Sequence, residues 1–244
     1  MSLGTPIRSG GIIAAGEGSR LRAGGWSVAK PLVPVAGVPL IGHVLGNFAA
    51  AGIGNLTVIF NEEERDCADW LGEHFPSLEA DVILKTTASS YESFREVAAR
   101  LPAGRALFST VDAWCPRGDF VDFAEAAAQA PPEATVLALT PFVADEKPLR
   151  ASVDRDGRVV RLGGAAGDFV TAGIYVFPER VRRLSAPQTI GRLREFLSWL
   201  VESGEPVLAI SIPEVVDVDR PEDVALAEAL AAREAGSPAT AGRP

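Results

Sequence analysis

Only two cysteines, Cys67 and Cys115, occur in the 244 residues, and neither has a CxxC neighbourhood. Two isolated thiols frame neither a disulfide scaffold nor a cysteine-rich metal site, so they read as reduced thiols of a cytoplasmic protein. No apolar run approaches the roughly 18 residues that cross a bilayer, and no basic-then-apolar export signal opens the chain. A positive surplus is missing too. At a formal net charge of −9, neither nucleic acid nor a membrane surface is expected as a partner. An anionic substrate would therefore need a local cationic pocket and a divalent metal. Lysine is scarce: of 23 basic residues only Lys30, Lys85 and Lys147 are lysines. Where arginine serves as the ordinary surface cation, a lysine points to a place that needs a compact, flexible ammonium.

What is present is a composition of 47% hydrophobic and 23% charged residues, enough at this length for one large α/β core. The most informative stretch runs from Gly10 to Leu32. Gly10 to Ala15 is apolar on both faces, as a buried parallel strand is. Gly16, Gly18 and Ser19 then form a turn whose backbone N–H groups can approach an anion, because glycine has no Cβ in the way. Arg20 and Arg22 add charge at the same place, and Lys30 returns after a mobile-looking loop at 23–29. Such a loop suits a polyphosphate. A glycine-rich turn after a first strand is nonetheless common in α/β proteins. It is not a Walker A loop, since no Gly-Lys-Ser/Thr follows, and leucine replaces the third glycine of a dinucleotide fingerprint.

Along the chain, helices are expected over 39–51, 62–72, 89–101 and 120–129, with strands over 56–60, 81–85 and 106–111. Alternation with short links implies a doubly wound, mostly parallel sheet that binds ligands at the carboxyl ends of its strands. Past residue 130 the pattern changes. Strands over 135–140, 150–153, 158–162 and 169–177 follow with few helices, and Asp156-Gly157 marks a hairpin. This half reads as an antiparallel extension for the second substrate. Helix returns over 190–203, then strands over 207–210 and 215–218, and a last helix from Pro221. The expected organisation is one domain over 8–235, with a nucleotide half (8–130), an acceptor half (131–220) and a fraying tail at 236–244.

Three features fall at one rim of such a sheet: the Gly16 loop, Asp112 and Asp217-Val218-Asp219. Mg²⁺ prefers a few carboxylates together with phosphate oxygens and waters. Asp112 and Asp217, each ending a strand, suit that role. Asp112 can also be read as a turn or cap aspartate, and Asp217 and Asp219 as a cap ahead of Pro221. Asp219 or Arg220 is placed nearer the cap, and Asp217 in the cleft. His43 and His74 read as structural.

Gly16-Glu17-Gly18-Ser19-Arg20-Leu21 with Lys30-Pro31-Leu32 resembles the signature of nucleotidyltransferases of the nucleoside-diphosphate-sugar pyrophosphorylase type, within the MobA-like NTP transferase superfamily. Ser109-Thr110-Val111-Asp112 is similar to the segment ending strand four with a metal-binding aspartate. Thr171-Ala172-Gly173-Ile174-Tyr175 looks like the acceptor-site strand, and the stretch from Val216 to Asp223 like the closing motif. The resemblance implies a Rossmann-like, GT-A-like fold and transfer of a nucleoside monophosphate from an NTP to a phosphorylated acceptor, foremost a sugar phosphate, releasing pyrophosphate. It implies a catalytic pair, Arg20 on the β,γ-phosphates and Lys30 on the α-phosphate, with Gly16, Gly18 and Ser19 beside them. Mg²⁺ would sit on Asp112 and Asp217. Base contacts would come from Ala14, Ala15, Ser89 and Ser90, the two serines being natural helix caps as well. Gly173 would let a sugar lie against the backbone, and Trp26 would either stack on the nucleotide or pack in the loop.

The sequence departs from the family at the acceptor. A Glu-Lys-Pro usually follows the central hairpin, where this chain has Leu162-Gly163-Gly164-Ala165. Glu146-Lys147-Pro148 precedes the hairpin instead, so Lys147 serves the acceptor phosphate from another direction or the acceptor is unusual. Other readings are a GT-A glycosyltransferase using Asp217-Val218-Asp219 as a metal motif, a catalytically degenerate regulatory subunit, or a guanylyl- or cytidylyltransferase for a non-sugar phosphate. A homo-oligomer is compatible with all of them.

Overall fold

A run with no polar face must be covered on both sides. Accordingly β1 (Ser9–Ala14), buried at every position, lies inside the sheet in the computed structural model, which describes residues 5–142 and 147–236. Helix α1 (Ser19–Ala23) and a 3-10 turn at Lys30–Leu32 follow. A hairpin of β2 (Pro34–Val35) and β3 (Val38–Pro39) leads into α2 (Leu40–Ala50). Helix α2 buries Leu40, Ile41, Val44, Leu45 and Phe48, the spacing of one helix face. Strands and helices then alternate through β4 (Asn55–Phe60), α3 (Arg65–His74), β5 (Ala80–Leu84), α4 (Ser90–Arg100) and β6 (Ala106–Thr110). The parallel pairs β1–β4, β1–β6 and β4–β5 give the order β5-β4-β1-β6 of a doubly wound sheet.

The second half contains β7 (Ala113–Trp114), α5 (Arg117–Gln129), β8 (Thr135–Thr140), β9 (Arg150–Val153), β10 (Val159–Leu162) and β11 (Phe169–Phe177). Strand β11 runs antiparallel to β6, β8 and β9, and so joins the antiparallel extension to the parallel half. The β9–β10 hairpin turns at the expected dipeptide. Asp154 Oδ1 accepts the N–H groups of Asp156 and Arg158 at 2.9 Å, and Gly157 has φ 78°. The chain ends with α6 (Glu179–Arg182), α7 (Leu193–Glu202), β12 (Val207–Ser211) alongside β8, β13 (Val216–Asp217) against β7, and α8 (Pro221–Gly236). Among the described residues nine strands form the main sheet. Alternation along β1 sends Ile12 and Ala14 into a core with Phe48, Phe120 and Leu230, and Ile13 into one with Phe94, Phe177 and Phe196.

Some expectations shift. The segment read as a mobile loop is fastened: α1 begins at Ser19, the Trp26 N–H donates to the Leu21 carbonyl at 3.1 Å, and the half-buried Trp26 ring packs on the core. The helix expected from 190 starts at Leu193, and the strand expected over 215–218 shortens to β13. Residues 237–244 and Glu146 lie outside the described residues.

Candidate active site

The turn after β1 is shaped around one side chain. Ala14 ends the strand, Ala15 is buried, and Gly16 and Ser19 are exposed. Gly18 has φ 60°, and a Cβ there would lie 2.7 Å from the Lys30 Cβ. Both the left-handed backbone and the close approach require glycine. No atom lies within 4 Å of where a Gly16 Cβ would stand, so this side of the turn is open. Lys30 starts the 3-10 turn and is only 7% exposed.

The Lys30 ammonium donates to Asp112 Oδ2 at 2.6 Å and also to Asp219 Oδ1. Arg20, on α1, donates to the other oxygen of Asp219 at 2.8 Å. Backbone pairing brings the two acidic segments together. The Asp112 carbonyl accepts the N–H of Trp114 at 2.8 Å and of Val218 at 3.0 Å, while β13 pairs with β7. Val216 and Val218 are buried, so strand alternation turns Asp217 and Asp219 to the opposite side. The carboxylates of Asp112, Asp217 and Asp219 each place an oxygen within 4.8 Å of the others.

Arg220 directly precedes α8 and holds the expected cap position, while Asp223, in the first turn of α8, accepts the N–H groups of Asp219 at 3.0 Å and Arg220 at 2.8 Å through Oδ2. The Asp219 carboxylate instead joins the cluster. Its signal was present in the Val-Asp-Val-Asp alternation. Arg22 leaves the loop to pair with the buried Glu64 at 2.9 Å.

Burial disfavours the Lys30 ammonium, but Asp112, Asp219 and Asp217 outweigh it and hold its pKa above the usual lysine range. Burial likewise works against the Asp112 carboxylate. The charge of Lys30, with hydrogen bonds from Lys30 and Thr110, outweighs that and holds its pKa below the usual range. Lys30 and Asp112 are thus an ion pair at neutral pH. Three clustered carboxylates are hard oxygen donors and fit a magnesium-sized cation. In this arrangement Lys30 and Arg20 supply their counter-charge.

Beyond Asp112 and Asp217 a cavity of about 200 Å³ opens between β11 and α7, lined also by Thr140, Leu149, Tyr175 and Arg194. Gly173 lines it too, with φ 71°, and a Cβ there would stand 2.7 Å from both Thr110 Oγ1 and Ala113 Cβ. The glycine is therefore required by the packing of β11 against β6 and β7, whatever occupies the cavity. Lys147 is exposed and is not among the described lining residues, whereas Pro148 and Leu149 are. Ser89 Oγ accepts the Glu92 N–H at 3.2 Å and caps α4, and Ser90 Oγ accepts the Leu193 N–H at 3.0 Å. Arg194 carried no sequence signal: nothing in its neighbourhood sets it apart from other arginines. His43 and His74 take structural places, against the Val35 carbonyl and the Trp70 ring.

The pattern of the MobA-like NTP transferase domain matches residues 10–209, which include the Gly18–Lys30 turn, Asp112 and the cavity lining from Thr110 to Arg194, and end before Asp217 and Asp219. The chain belongs to this family. A CMP-5'-(3-aminopropyl)phosphonate synthase of Streptomyces rubellomurinus is 29% identical over 205 residues, 77% of this chain and 31% of that protein. The chain spans between 12% and 31% of the length of the curated relatives it matches. The inositol-1-phosphate CTP transferase of T. maritima shares the fold at a TM-score of 0.81 and 18% identity, over 96% of this chain and 99% of that one. HddC from Yersinia pseudotuberculosis does so at 0.73 and 17%, over 92% and 99%. Among the described residues no helix is long and apolar enough to cross a membrane.

Proposed function

We propose that this MobA-like NTP transferase transfers a nucleoside monophosphate from an NTP to a phosphorylated small molecule and releases pyrophosphate. The observation that carries the reading is the convergence of Lys30, Arg20, Asp112 and Asp219 beside the cavity lined by Asp217 and Gly173. An acceptor oxygen attacks the α-phosphorus in line. A new P–O bond forms, the bond from the α-phosphorus to its bridging oxygen breaks, and pyrophosphate leaves with the electron pair. The acceptor anion is already ionised, so no general base is needed. Held by Asp112, Asp217 and Asp219, Mg²⁺ would neutralise part of the polyphosphate charge. Arg20 and Lys30 would exchange their carboxylate partners for phosphate oxygens, Lys30 facing the charge that develops at the α-phosphate. The open backbone at Gly16 and the Gly18 turn would lie along the phosphates.

A sugar phosphate is the first acceptor class. A phosphonate is the second, favoured by the 77% of this chain that aligns with the aminopropylphosphonate enzyme. Calorimetric titration with ATP, GTP, CTP, UTP and dTTP, each with and without Mg²⁺, tests the nucleotide half. Pyrophosphate release with a panel of phosphates and phosphonates then tests the transfer. Metal-dependent binding of one nucleotide with pyrophosphate release supports the reading, and binding of none overturns it.

A further inference from the structure

The cavity past Asp112 presents a charge problem. An acceptor bearing a phosphate or phosphonate must enter a pocket whose inner end carries Asp112 and Asp217. Its hydroxyls are largely committed to the protein. Thr140 Oγ1 donates to the Pro213 carbonyl at 3.1 Å and accepts the Phe142 N–H at 3.1 Å. Thr110 bonds Asp112, and the Tyr175 hydroxyl bonds Thr171. Much of the remaining wall is apolar, with Leu149 and Val170 on it. An anion placed there needs a cation that the wall itself provides.

Among the described lining residues one carries a positive side chain, Arg194. It is the second residue of α7 and half-buried. One Nη2 hydrogen bond, to the Lys147 carbonyl at 2.8 Å, ties it to the chain entering Pro148 and Leu149, which are themselves lining residues. A guanidinium has five N–H donors in a planar fork, so one bond leaves a face suited to two oxygens of one anion. Arg194 lines the cavity together with Asp112, Asp217 and Tyr175, and its charge acts on the Tyr175 phenol with the sign opposite to that of the two carboxylates. Arg194 thus shares the cavity with the metal-binding carboxylates. The backbone at Gly163 reaches the same wall: a Cβ there would lie 3.7 Å from Ser198 Oγ and 4.0 Å from Leu149, and Ser198 is bonded to the Arg194 carbonyl. Gly163, Gly164 and Ala165 bring no charge to it.

We propose that Arg194 binds the phosphate or phosphonate head of the acceptor in the cavity between β11 and α7 and selects acceptors by that head group. The assignment rests on the nucleotidyl-transfer reading for the identity of the acceptor, while its test reads binding directly. Arg194 holds the head so that one of its oxygens faces the α-phosphorus, and the body of the acceptor lies against Leu149 and Val170.

The test compares the full chain with Arg194→Gln and Arg194→Lys. Each is titrated calorimetrically with the preferred NTP and Mg²⁺, and separately with glucose 1-phosphate, inositol 1-phosphate and (3-aminopropyl)phosphonate. Thermal melts check the fold, and acceptor KM and kcat are read from pyrophosphate release. Arg194→Gln is expected to keep its melting temperature and NTP affinity while losing acceptor affinity about 10- to 100-fold. Arg194→Lys, a point charge without the fork, is expected to fall between. A loss for the phosphates alone, or for the phosphonate alone, names the head group and supports the assignment. Acceptor affinity within about twofold of wild type in Arg194→Gln overturns it, on the scale where tenfold is about 1.4 kcal/mol. So does a wild type that binds none of the three acceptors. Acceptor binding lost in Arg194→Gln with no pyrophosphate from wild type supports Arg194 and sinks the transfer reading. Equal turnover and KM in both proteins does the reverse.

Discussion

Lys30 is a buried cation between two carboxylates, so its removal has two consequences. Turnover in Lys30→Ala is expected to fall by about 10² or more, because the group proposed to face the α-phosphate is gone. Asp112 and Asp219 then face one another without their ammonium, so Mg²⁺ should raise the melting temperature of the variant more than that of wild type. Pyrophosphate-release assays and thermal melts with and without Mg²⁺ check both, and a fully active variant removes Lys30 from the mechanism. Lys30 stood out in the sequence because it is one of three lysines and follows a glycine-rich turn. That Gly18 must be glycine to admit the Lys30 stem was not, since the contact joins residues 12 apart across a folded turn.

At the scale of elements, α4 separates a capping role from a nucleotide role. The Ser89 hydroxyl is already spent on the Glu92 N–H. Ser89→Ala is therefore expected to cost about 1 kcal/mol of stability with nucleotide affinity unchanged, as denaturant melts and calorimetry would show. Helix α2 makes a pH prediction. His43 donates Nε2–H to the Val35 carbonyl at 2.9 Å, and its pKa is lowered, by burial first, with Arg117 adding to it. Unfolded, the ring takes up a proton as pH falls through the ordinary histidine value of 6.5, while the folded ring resists. The unfolded state then binds more protons, so stability falls as pH drops from 7 through that range. Denaturant midpoints against pH should show a shallower fall in His43→Gln; an unchanged slope would remove His43 as the source. Long periodic elements such as α2, β8 and β11 were legible from apolar spacing. The pairs β2–β3 and β7–β13 were not, because two-residue strands have no period and exist only through their partners.

For the molecule as a whole, the ion network is expected to couple metal to nucleotide. Mg²⁺ alone must compete with Lys30 and Arg20 for Asp112 and Asp219, and a polyphosphate alone must draw those cations away from the same carboxylates. Each ligand should therefore tighten the other, by the same factor in both directions. In Asp219→Asn, Arg20 loses its charged partner. Metal-free NTP affinity should then rise while the Mg²⁺-dependent gain shrinks, as paired titrations would show. An unchanged ratio of metal-bound to metal-free affinity would sink the coupling.

Composition, the apolar run of β1 and the order of the four motifs by themselves determined the α/β class and the family, and they singled out Lys30, Arg20, Asp112 and Asp217 as candidates for the site. These are carried by local spacing along the chain, and local spacing is what a sequence displays. Only the tertiary structure decided that Asp219 enters the ion network, that Gly173 is required by Thr110 and Ala113, and that Arg194 lines one cavity with Asp112. Each of these depends on where β13 docks on β7 or where α7 lies against β11, and such distances are set by packing between segments roughly 20 to 110 residues apart.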